Sequence, residues 1–161
     1  MPANPAAYHV LFLCTGNSAR SQIAEALVNQ KGRGQWLAES AGSSPVATVN
    51  PCAIQVLRDH GIAWAGHEPR GLSGLEDRQW DVVVTVCDHA RESCPIFPGQ
   101  PVQVHWGMPD PASTEGDEAA RRAAFETAFR LLELRIEGLL ALPIESLDRP
   151  ALERRLQAIG T

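Results

Sequence analysis

The sequence feature that most constrains this chain is residues 14–21, which read Cys-Thr-Gly-Asn-Ser-Ala-Arg-Ser. An apolar run at 10–13 precedes them, and apolar residues at helical spacing follow at 23–28. A short loop from a strand to a helix directs its backbone N–H groups at one point, where the helix dipole also favours an anion. The stretch therefore predicts an oxyanion cradle between a first strand and a first helix.

Cys14 and Arg20 give this loop its predicted chemistry. Arg20 can hold two oxygens of a tetrahedral anion with its planar guanidinium, and Gly16 and Asn17 can adopt the left-handed backbone angles of a cradle. Amide dipoles and the guanidinium favour a thiolate, so we expect the pKa of Cys14 to be depressed and the residue to act as a nucleophile. The alternative is a small buried thiol beside a surface arginine. We expect the anion to contact the loop through Thr15, Gly16, Asn17, Ser18, Ala19, Arg20 and Ser21.

The net charge of the chain argues against a nucleic-acid partner. With 14 Lys and Arg against 19 Asp and Glu, the formal charge is −5, which disfavours contact with a phosphate backbone. No apolar run approaches the roughly 20 residues that cross a bilayer, and residues 1–7 lack the features of a secretory signal. We therefore expect a cytoplasmic monomer that binds neither nucleic acid nor membrane, with four cysteines that are reactive or buried thiols rather than a disulfide framework.

Strand and helix patterns alternate along the chain. We predict strands at 8–13, 36–41, 81–86 and 102–106, and helices at 21–31, from Pro51 to a stop at Gly61, at 115–142 and at 148–159. This order predicts an α/β fold, a single domain with a four-stranded parallel sheet and helices on both faces. We assign residues 1–142 to the domain and 143–161 to a C-terminal helical extension of it. The extension either packs on the sheet or serves a partner.

Three residues with chemical potential each follow a predicted strand: Cys14, Cys87 and Asp110. Ligands of parallel sheets bind beyond the carboxyl ends of strands, so we expect these side chains to form one site. An aspartate before a proline on a loop is a candidate general acid, and the alternative is a solvated turn residue. Cys52 lies in the first turn of a predicted helix, and we interpret it as a packing or surface residue.

Residues 14–21, with Gln22 and Glu25 behind them, resemble the loop of low-molecular-weight protein-tyrosine phosphatases and of the arsenate reductases that share their fold. Cys87 and Cys94, with His105-Trp106-Gly107 and Asp110-Pro111-Ala112 later in the chain, are similar to thiol-cascade arsenate reductases. In the phosphatases, aromatic residues typically follow the Asp-Pro pair, whereas here Ala112 and Ser113 do. The resemblance therefore favours the arsenate reductases.

The resemblance implies a cascade of three thiols. Cys14 attacks arsenate held by the loop and Arg20, and Asp110 protonates the departing oxygen. Cys87 then attacks Cys14 and expels arsenite, and Cys94 attacks Cys87 to form a disulfide that thioredoxin reduces. Ser21 donates to the Cys14 thiolate and Asn17 fixes the loop. The resemblance implies no bound cofactor, electrons from thioredoxin, and phosphate or sulfate as competing oxyanions; we also expect residues 87–98 to move during the cascade.

Several alternatives stay open at this point. The chain could be a tyrosine phosphatase, or a non-catalytic protein that binds oxyanions or responds to redox state. Glutathione with glutaredoxin, or mycothiol, could replace thioredoxin, with Cys94 inert. Cys87, Cys94 and His89 could be metal ligands, although their spacing is unusual for zinc.

Some family members bind a monovalent cation beside the loop. Asn17, Glu25 and Ser40 match three of those positions, which implies at most a weak potassium site. The aspartate that the family carries near residues 70–72 is missing from this sequence. We predict no other metal.

Overall fold

The computed structural model describes residues 7–92, 94–95 and 97–161, without the side chain of His89. Its sheet has four parallel strands in the order β2-β1-β3-β4. The strands are β1 (Tyr8–Cys14), β2 (Trp36–Gly42), β3 (Val82–Thr85) and β4 (Val102–His105). The predicted α/β fold with a four-stranded parallel sheet is confirmed. In the register, Cys14 of β1 lies opposite Gly42 of β2, and Leu13 lies opposite Thr85 of β3.

Five α-helices are present in the described part of the chain. They are α1 (Arg20–Lys31), α2 (Pro51–Asp59), α3 (Asp88–Glu92), α4 (Glu118–Leu140) and α5 (Arg149–Ile159). Helix α4 begins three residues later than the apolar pattern indicated, because Asp117 caps it by accepting the N–H of Ala120. The short helix α3 was not predicted, since five residues are too few to show a periodic pattern.

Alternate residues of β1 build two separate cores. Val10 and Phe12 face a large cluster to which α1, α2, α4 and α5 all contribute. Leu11 and Leu13 face a smaller cluster with α3 and residue Phe97. Both faces of β1 are thus covered, as expected for a central parallel strand, and the carboxyl ends of β1 and β3 lie in the middle of one sheet edge.

The C-terminal extension packs on the sheet. Helix α5 contacts β4 and α4, and its Leu156 is fully buried in the large cluster. Cys52, in the first turn of α2, is half-buried against the same cluster. In the part of the chain that the structure describes, no helix is both long and apolar enough to cross a bilayer.

Candidate active site

The anion cradle lies between the last residue of β1, Cys14, and the first residue of α1, Arg20. Asn17 is fully buried and has a φ of 54°, the left-handed conformation that the loop was predicted to need. Gly42, at the end of β2, supports the loop from behind. A Cβ at this position would lie 2.5 Å from the carbonyl oxygen of Thr15, so only glycine lets the loop lie this close to β2.

The loop opens into a cavity of about 300 Å³. Its floor is the cradle itself, and its walls come from the connection after β2 and from the loop after β4. The wall residues are small: Ser44, Val46, Ala112 and Ser113, with Asp110 beside them. A cavity of this size has room for a tetrahedral oxyanion, and none of its described lining residues is an aromatic one that could pack against an aryl group.

Cys14 is almost completely buried at the bottom of the cradle. Its Sγ lies 2.8 Å from Ser21 Oγ and accepts the backbone N–H of Asn17 at 3.2 Å. The expectation of a depressed pKa is nevertheless wrong, because burial raises the pKa of the Cys14 thiol and the bonds from Ser21 and Asn17 only partly offset it. The charge of Arg20 makes the smallest of the opposing contributions.

The orientation of Arg20 accounts for its small effect on the pKa of Cys14. Its Nη1 donates to the carbonyl oxygen of Met108 at 3.0 Å, and its Nη2 lies 3.8 Å from Oδ2 of Asp110. The guanidinium is therefore shared between the loop after β4 and the cradle. Asp110 itself caps a turn, where its Oδ1 accepts the N–H of Ala112 at 3.0 Å. The predicted acid and the predicted anion-holding arginine are thus neighbours at one cavity.

Cys87 follows β3 and reaches the rim of the cradle. Its Sγ lies 3.0 Å from Oγ1 of Thr15 and accepts the N–H of Ala90 at 3.3 Å. Thr15 is the residue next to Cys14 in the chain, so Cys87 contacts the loop beside the residue that carries the first thiol. Both thiols are free.

Cys94 lies in a different environment. It is half-buried against the smaller core, and its S–H points toward Oε1 of Gln103 at 3.8 Å. Burial raises the pKa of the Cys94 thiol. A second cavity of about 310 Å³ surrounds it, bordered by Arg91, His105 and Gln157 of helix α5. Cys94 therefore lies outside the cradle that holds Cys14. Cys87 contacts the rim of the cradle and comes before Cys94 in the sequence.

The residues proposed for potassium are already bonded to one another. Oδ1 of Asn17 accepts the N–H of Arg70 at 3.0 Å, and Ser40 Oγ donates to Oε1 of Glu25 at 3.0 Å. That oxygen of Glu25 also faces Nε2 of His67 at 3.0 Å, and Nε of Arg70 donates to the Ser40 carbonyl at 3.1 Å. Potassium needs oxygens with free lone pairs directed at one point, and this donor-filled network does not fit it.

The buried carboxyl of Glu25 accounts for the donors gathered in this network. Glu25 is nearly buried, and burial raises the pKa of its carboxyl, while His67 and then Ser40 and Arg70 oppose the rise. The imidazole of His67 and the guanidinium of Arg70 thus both lie on the side of this buried carboxyl and lower its pKa. Among the side chains that the structure describes, no three His, Cys, Asp or Glu groups could hold a metal ion together. The alternative metal set of Cys87, Cys94 and His89 includes a side chain outside the described part.

Sequence reasoning missed three supports of the cradle. The predicted strand 36–41 ends one residue before Gly42, although a glycine directly after a predicted strand is a signal of close backbone approach. His67 and Arg70 lie in an irregular segment with no periodic pattern, so nothing in a single sequence indicated their contacts. The bond between Thr15 and Cys87 joins residues 72 positions apart and could not be predicted locally.

Comparison with known proteins agrees with this geometry. The sequence model of the low molecular weight phosphotyrosine protein phosphatase family matches residues 9–152. The chain belongs to this family. Among its curated relatives, an arsenate reductase of Halalkalibacterium halodurans is 37% identical over 116 residues, which cover 72% of this chain and 83% of that protein. The arsenate reductase of Bacillus subtilis is 35% identical over 73% of this chain and 84% of its own length. The predicted resemblance to arsenate reductases of this fold is confirmed.

Solved structures place the fold in both branches of the family. An arsenate reductase from Archaeoglobus fulgidus is 29% identical, with a TM-score of 0.67 over 83% of this chain and 99% of that chain. The tyrosine phosphatase Wzb from Escherichia coli K30, in complex with sulphate, is 27% identical, with a TM-score of 0.61 over 78% and 90%. A thioredoxin-dependent arsenate reductase from Corynebacterium glutamicum is 27% identical, with a TM-score of 0.60 over 83% of this chain and 63% of that one.

Proposed function

We propose that this protein reduces arsenate to arsenite, with Cys14 and Cys87 supplying the two electrons. The observation that carries the proposal is the position of Cys87, whose Sγ lies 3.0 Å from the hydroxyl of Thr15 at the rim of the cradle. A phosphatase needs one thiol and water. A reductase needs a second thiol near the first, and the contact of Cys87 with Thr15 at the rim of the cradle supports that role for Cys87.

The first step forms a bond between sulfur and arsenic. The loop N–H groups and Arg20 hold the arsenate oxygens, and the Sγ of Cys14 attacks arsenic. The departing oxygen leaves as water, taking the thiol's proton and a second proton from Asp110, which regains it from the hydroxyl of the bound arsenic group. Ser21 stabilises the thiolate as it forms, since its Oγ lies 2.8 Å from the sulfur. The Ser21 hydroxyl lowers the pKa of Cys14 and so offsets part of the rise that burial causes.

The second step transfers two electrons. The sulfur of Cys87 attacks the sulfur of Cys14, a disulfide forms between them, and the electron pair of the sulfur–arsenic bond leaves with arsenic as arsenite. The proton of the Cys87 thiol goes to an oxygen of the arsenite. Thr15 touches Cys87 and orients its sulfur toward the cradle.

The third step regenerates Cys14. Cys94 attacks the sulfur of Cys87, which forms a disulfide between residues 87 and 94 and returns the thiol of Cys14. A dithiol of thioredoxin then reduces that disulfide by exchange. The thioredoxin-dependent arsenate reductase of Corynebacterium glutamicum supports this choice of reductant, and glutathione with glutaredoxin or mycothiol are the alternative donors.

The second candidate function is phosphatase activity on tyrosyl or small phosphoesters. The same cradle, with Cys14, Arg20 and Asp110, fits a phosphate, and the family model carries the phosphatase name. The walls of the cavity argue against it, because Val46, Ala112 and Ser113 offer a tyrosyl ring no aromatic partner. A non-catalytic oxyanion or redox sensor is the third candidate, but binding alone needs neither the thiol pair nor an acid.

The test couples arsenate to the consumption of NADPH through thioredoxin and thioredoxin reductase. We expect turnover with the wild-type protein, loss of turnover in Cys87→Ser, and retention in Cys52→Ser, the matched control among the four cysteines. Hydrolysis of an aryl phosphate without any arsenate turnover, under each of the three reductants, would replace the reductase with the phosphatase. Arsenate binding with neither activity would favour the sensor.

A further inference from the structure

The C-terminal helix α5 contacts the end of β4 that leads toward Asp110. Nε1 of Trp106 donates to the carbonyl oxygen of Leu156 at 2.9 Å, and both side chains are fully buried. Gly160, just after α5, lies flat against the indole, because a Cβ at this position would overlap Cδ1 of Trp106. The backbone at the end of α5 therefore packs directly against Trp106, the first residue after β4, with no room for a side chain at Gly160.

Arg135 of α4 joins the same two segments. Its Nη1 donates to the carbonyl oxygens of Trp106 at 3.1 Å and Gly107 at 3.3 Å, and its Nη2 donates to the carbonyl oxygen of Gly160 at 3.3 Å. The side chain is buried, and burial lowers the pKa of the guanidinium. A buried cation bonded to three carbonyls is costly to keep, which indicates that the geometry it imposes on these carbonyls matters.

The loop after β4 is held from the opposite side by the cradle. Nη1 of Arg20 donates to the carbonyl oxygen of Met108 at 3.0 Å, and the N–H of Met108 donates to Val86 at 3.3 Å. Two residues later comes Asp110, with its Oδ2 3.8 Å from Nη2 of Arg20. Residues 106–110 are thus fixed between Arg20 on one side and Arg135 with the end of α5 on the other.

This second support lies partly outside the family pattern. The family match ends at residue 152, inside α5, so Leu156 and Gly160 lie beyond it. The alignment with the Archaeoglobus fulgidus structure covers 99% of that chain but only 83% of this one. Trp106 and Arg135 therefore lie inside the family match, and their partners Leu156 and Gly160 lie beyond it.

We propose that α5 is a brace for the acid loop, and that Trp106, Arg135 and Gly160 are positioning residues that hold Asp110 at the oxyanion cavity. None of the three lines that cavity, so each acts through the backbone of residues 106–110. The catalytic part of this proposal rests on the proposed function, in which Asp110 protonates the departing oxygen. The structural part does not, and it can be measured without any substrate.

The first experiment measures hydrogen exchange of the backbone amides in peptides covering 106–114. We expect Gly160→Ala to accelerate exchange there at least threefold, because its Cβ displaces the tail from Trp106. Trp106→Phe, which keeps an aromatic ring but loses the bond to Leu156 and part of the indole's volume, serves as a second variant should Gly160→Ala not fold. Arg149→Met is the matched control: it removes the tail's bonds to the carbonyls of Gln100 and Pro101 and touches nothing in the acid loop.

The exchange result decides the brace by itself. Faster exchange at 106–114 in Gly160→Ala or Trp106→Phe, with none in Arg149→Met, supports it. If exchange rises in α5 while residues 106–114 keep the wild-type rate, or rises equally in the control, α5 is only a packing element and the brace is overturned.

The second experiment asks whether the effect runs through Asp110. Single-turnover release of arsenite is measured for Gly160→Ala in the wild-type and the Asp110→Asn backgrounds. We expect a slowing of about tenfold in the first, since small displacements of a catalytic group are costly, and less than about twofold in the second. Equal slowing in both backgrounds would contradict positioning. A wild-type protein that reduces no arsenate would refute the proposed function instead, and hydrogen exchange would still decide the brace.

Discussion

The cradle and the Cys94 thiol differ sharply in burial and in the hydrogen bonds that hold them. In the cradle, Asn17 and Ser21 are fully buried, and the amide of Asn17 donates to the hydroxyls of Ser21 and Ser40 at 2.8 and 2.9 Å. Around Cys94, the sulfur is half-buried and its bond to Gln103 is 3.8 Å long. Anion binding requires a preformed set of donors, whereas a thiol that exchanges between partners must leave its contacts. These are the two tasks that the proposed function assigns to the cradle and to Cys94.

Helix α3 shows the same contrast next to Cys87. It comprises one turn and a half, and its Asp88 pairs with His105 at 3.1 Å although its side chain is 75% exposed. Polar contacts at such exposure contribute little. The movement of residues 87–98 when Cys94 meets Cys87 stays a prediction, and residues 93 and 96 of this range lie outside the described part of the chain. Hydrogen exchange in this segment that stays equally slow before and after oxidation would contradict it.

The largest expected effect comes from removing the nucleophile. Cys14→Ser should lower arsenate turnover at least about a thousandfold, because a serine hydroxyl at this site is a far weaker nucleophile than a thiolate. Phosphate binding, measured by calorimetry, should persist, since the loop N–H groups and Arg20 remain. Loss of phosphate binding together with activity would mean that the sulfur holds the cradle's shape and that the effect is not chemical.

Gly42→Ala breaks the cradle without touching any group that reacts. The new Cβ would lie 2.5 Å from the Thr15 carbonyl and 2.9 Å from the Asn17 nitrogen, so the loop must shift. We expect a loss of about 1–3 kcal/mol in the free energy of unfolding and weaker phosphate binding. Gly74→Ala is the control for backbone effects, because Gly74 has a positive φ but no neighbour within 4 Å of its Cβ. Equal phosphate affinity in both variants would show that Gly42 is not a support of the loop.

Ser21→Ala tests how much the hydrogen bond from Ser21 lowers the pKa of Cys14 in the cradle. Burial raises the pKa of Cys14 and the Ser21 hydroxyl lowers it. The thiolate fraction at neutral pH is therefore smaller than for a free cysteine, and alkylation of Cys14 by iodoacetamide should accelerate as the pH rises. In Ser21→Ala the rate profile should move to higher pH and fall roughly tenfold at pH 7, since a bond to a charged group contributes about 1.5–3 kcal/mol. Peptide mapping separates Cys14 from the other thiols, and an unchanged profile would exclude Ser21 as its donor.

The smallest expected effect is that of potassium. Because His67 and Arg70 already face the buried Glu25 and Ser40, the melting temperature should be the same in KCl and NaCl of equal concentration. Arg70→Asp should create a preference for potassium. The matched control is Arg78→Ala, which also loses a Glu39 ion pair but leaves Ser40 untouched. A potassium-specific rise in the melting temperature of the wild-type protein would show that the ion enters despite the network.

Features that depend on residues close together in the sequence were predictable, and features that depend on contacts between distant segments were not. The four strands and the Cys14–Arg20 cradle were predictable, because apolar runs, Gly16 and Asn17 act within a few residues. The Asp110 loop was placed at the right sheet edge by the topology of parallel strands alone. Gly42 and Arg70 were missed, because their roles depend on backbone approach and on contacts between segments that no local pattern encodes. The pKa of Cys14 was predicted in the wrong direction, since a sequence shows the donors around a thiol and not its degree of burial.

The most direct test of the two-thiol mechanism uses Cys94→Ser with one equivalent of arsenate and no external reductant. This variant keeps Cys14 and Cys87 and lacks the thiol that resolves their disulfide. We predict that each protein molecule releases one arsenite, that mass spectrometry finds a disulfide between residues 14 and 87, and that no further turnover follows when excess arsenate, NADPH, thioredoxin and thioredoxin reductase are then added. Arsenite release without that disulfide, or full multiple turnover by the variant, would contradict a cascade that passes through Cys87.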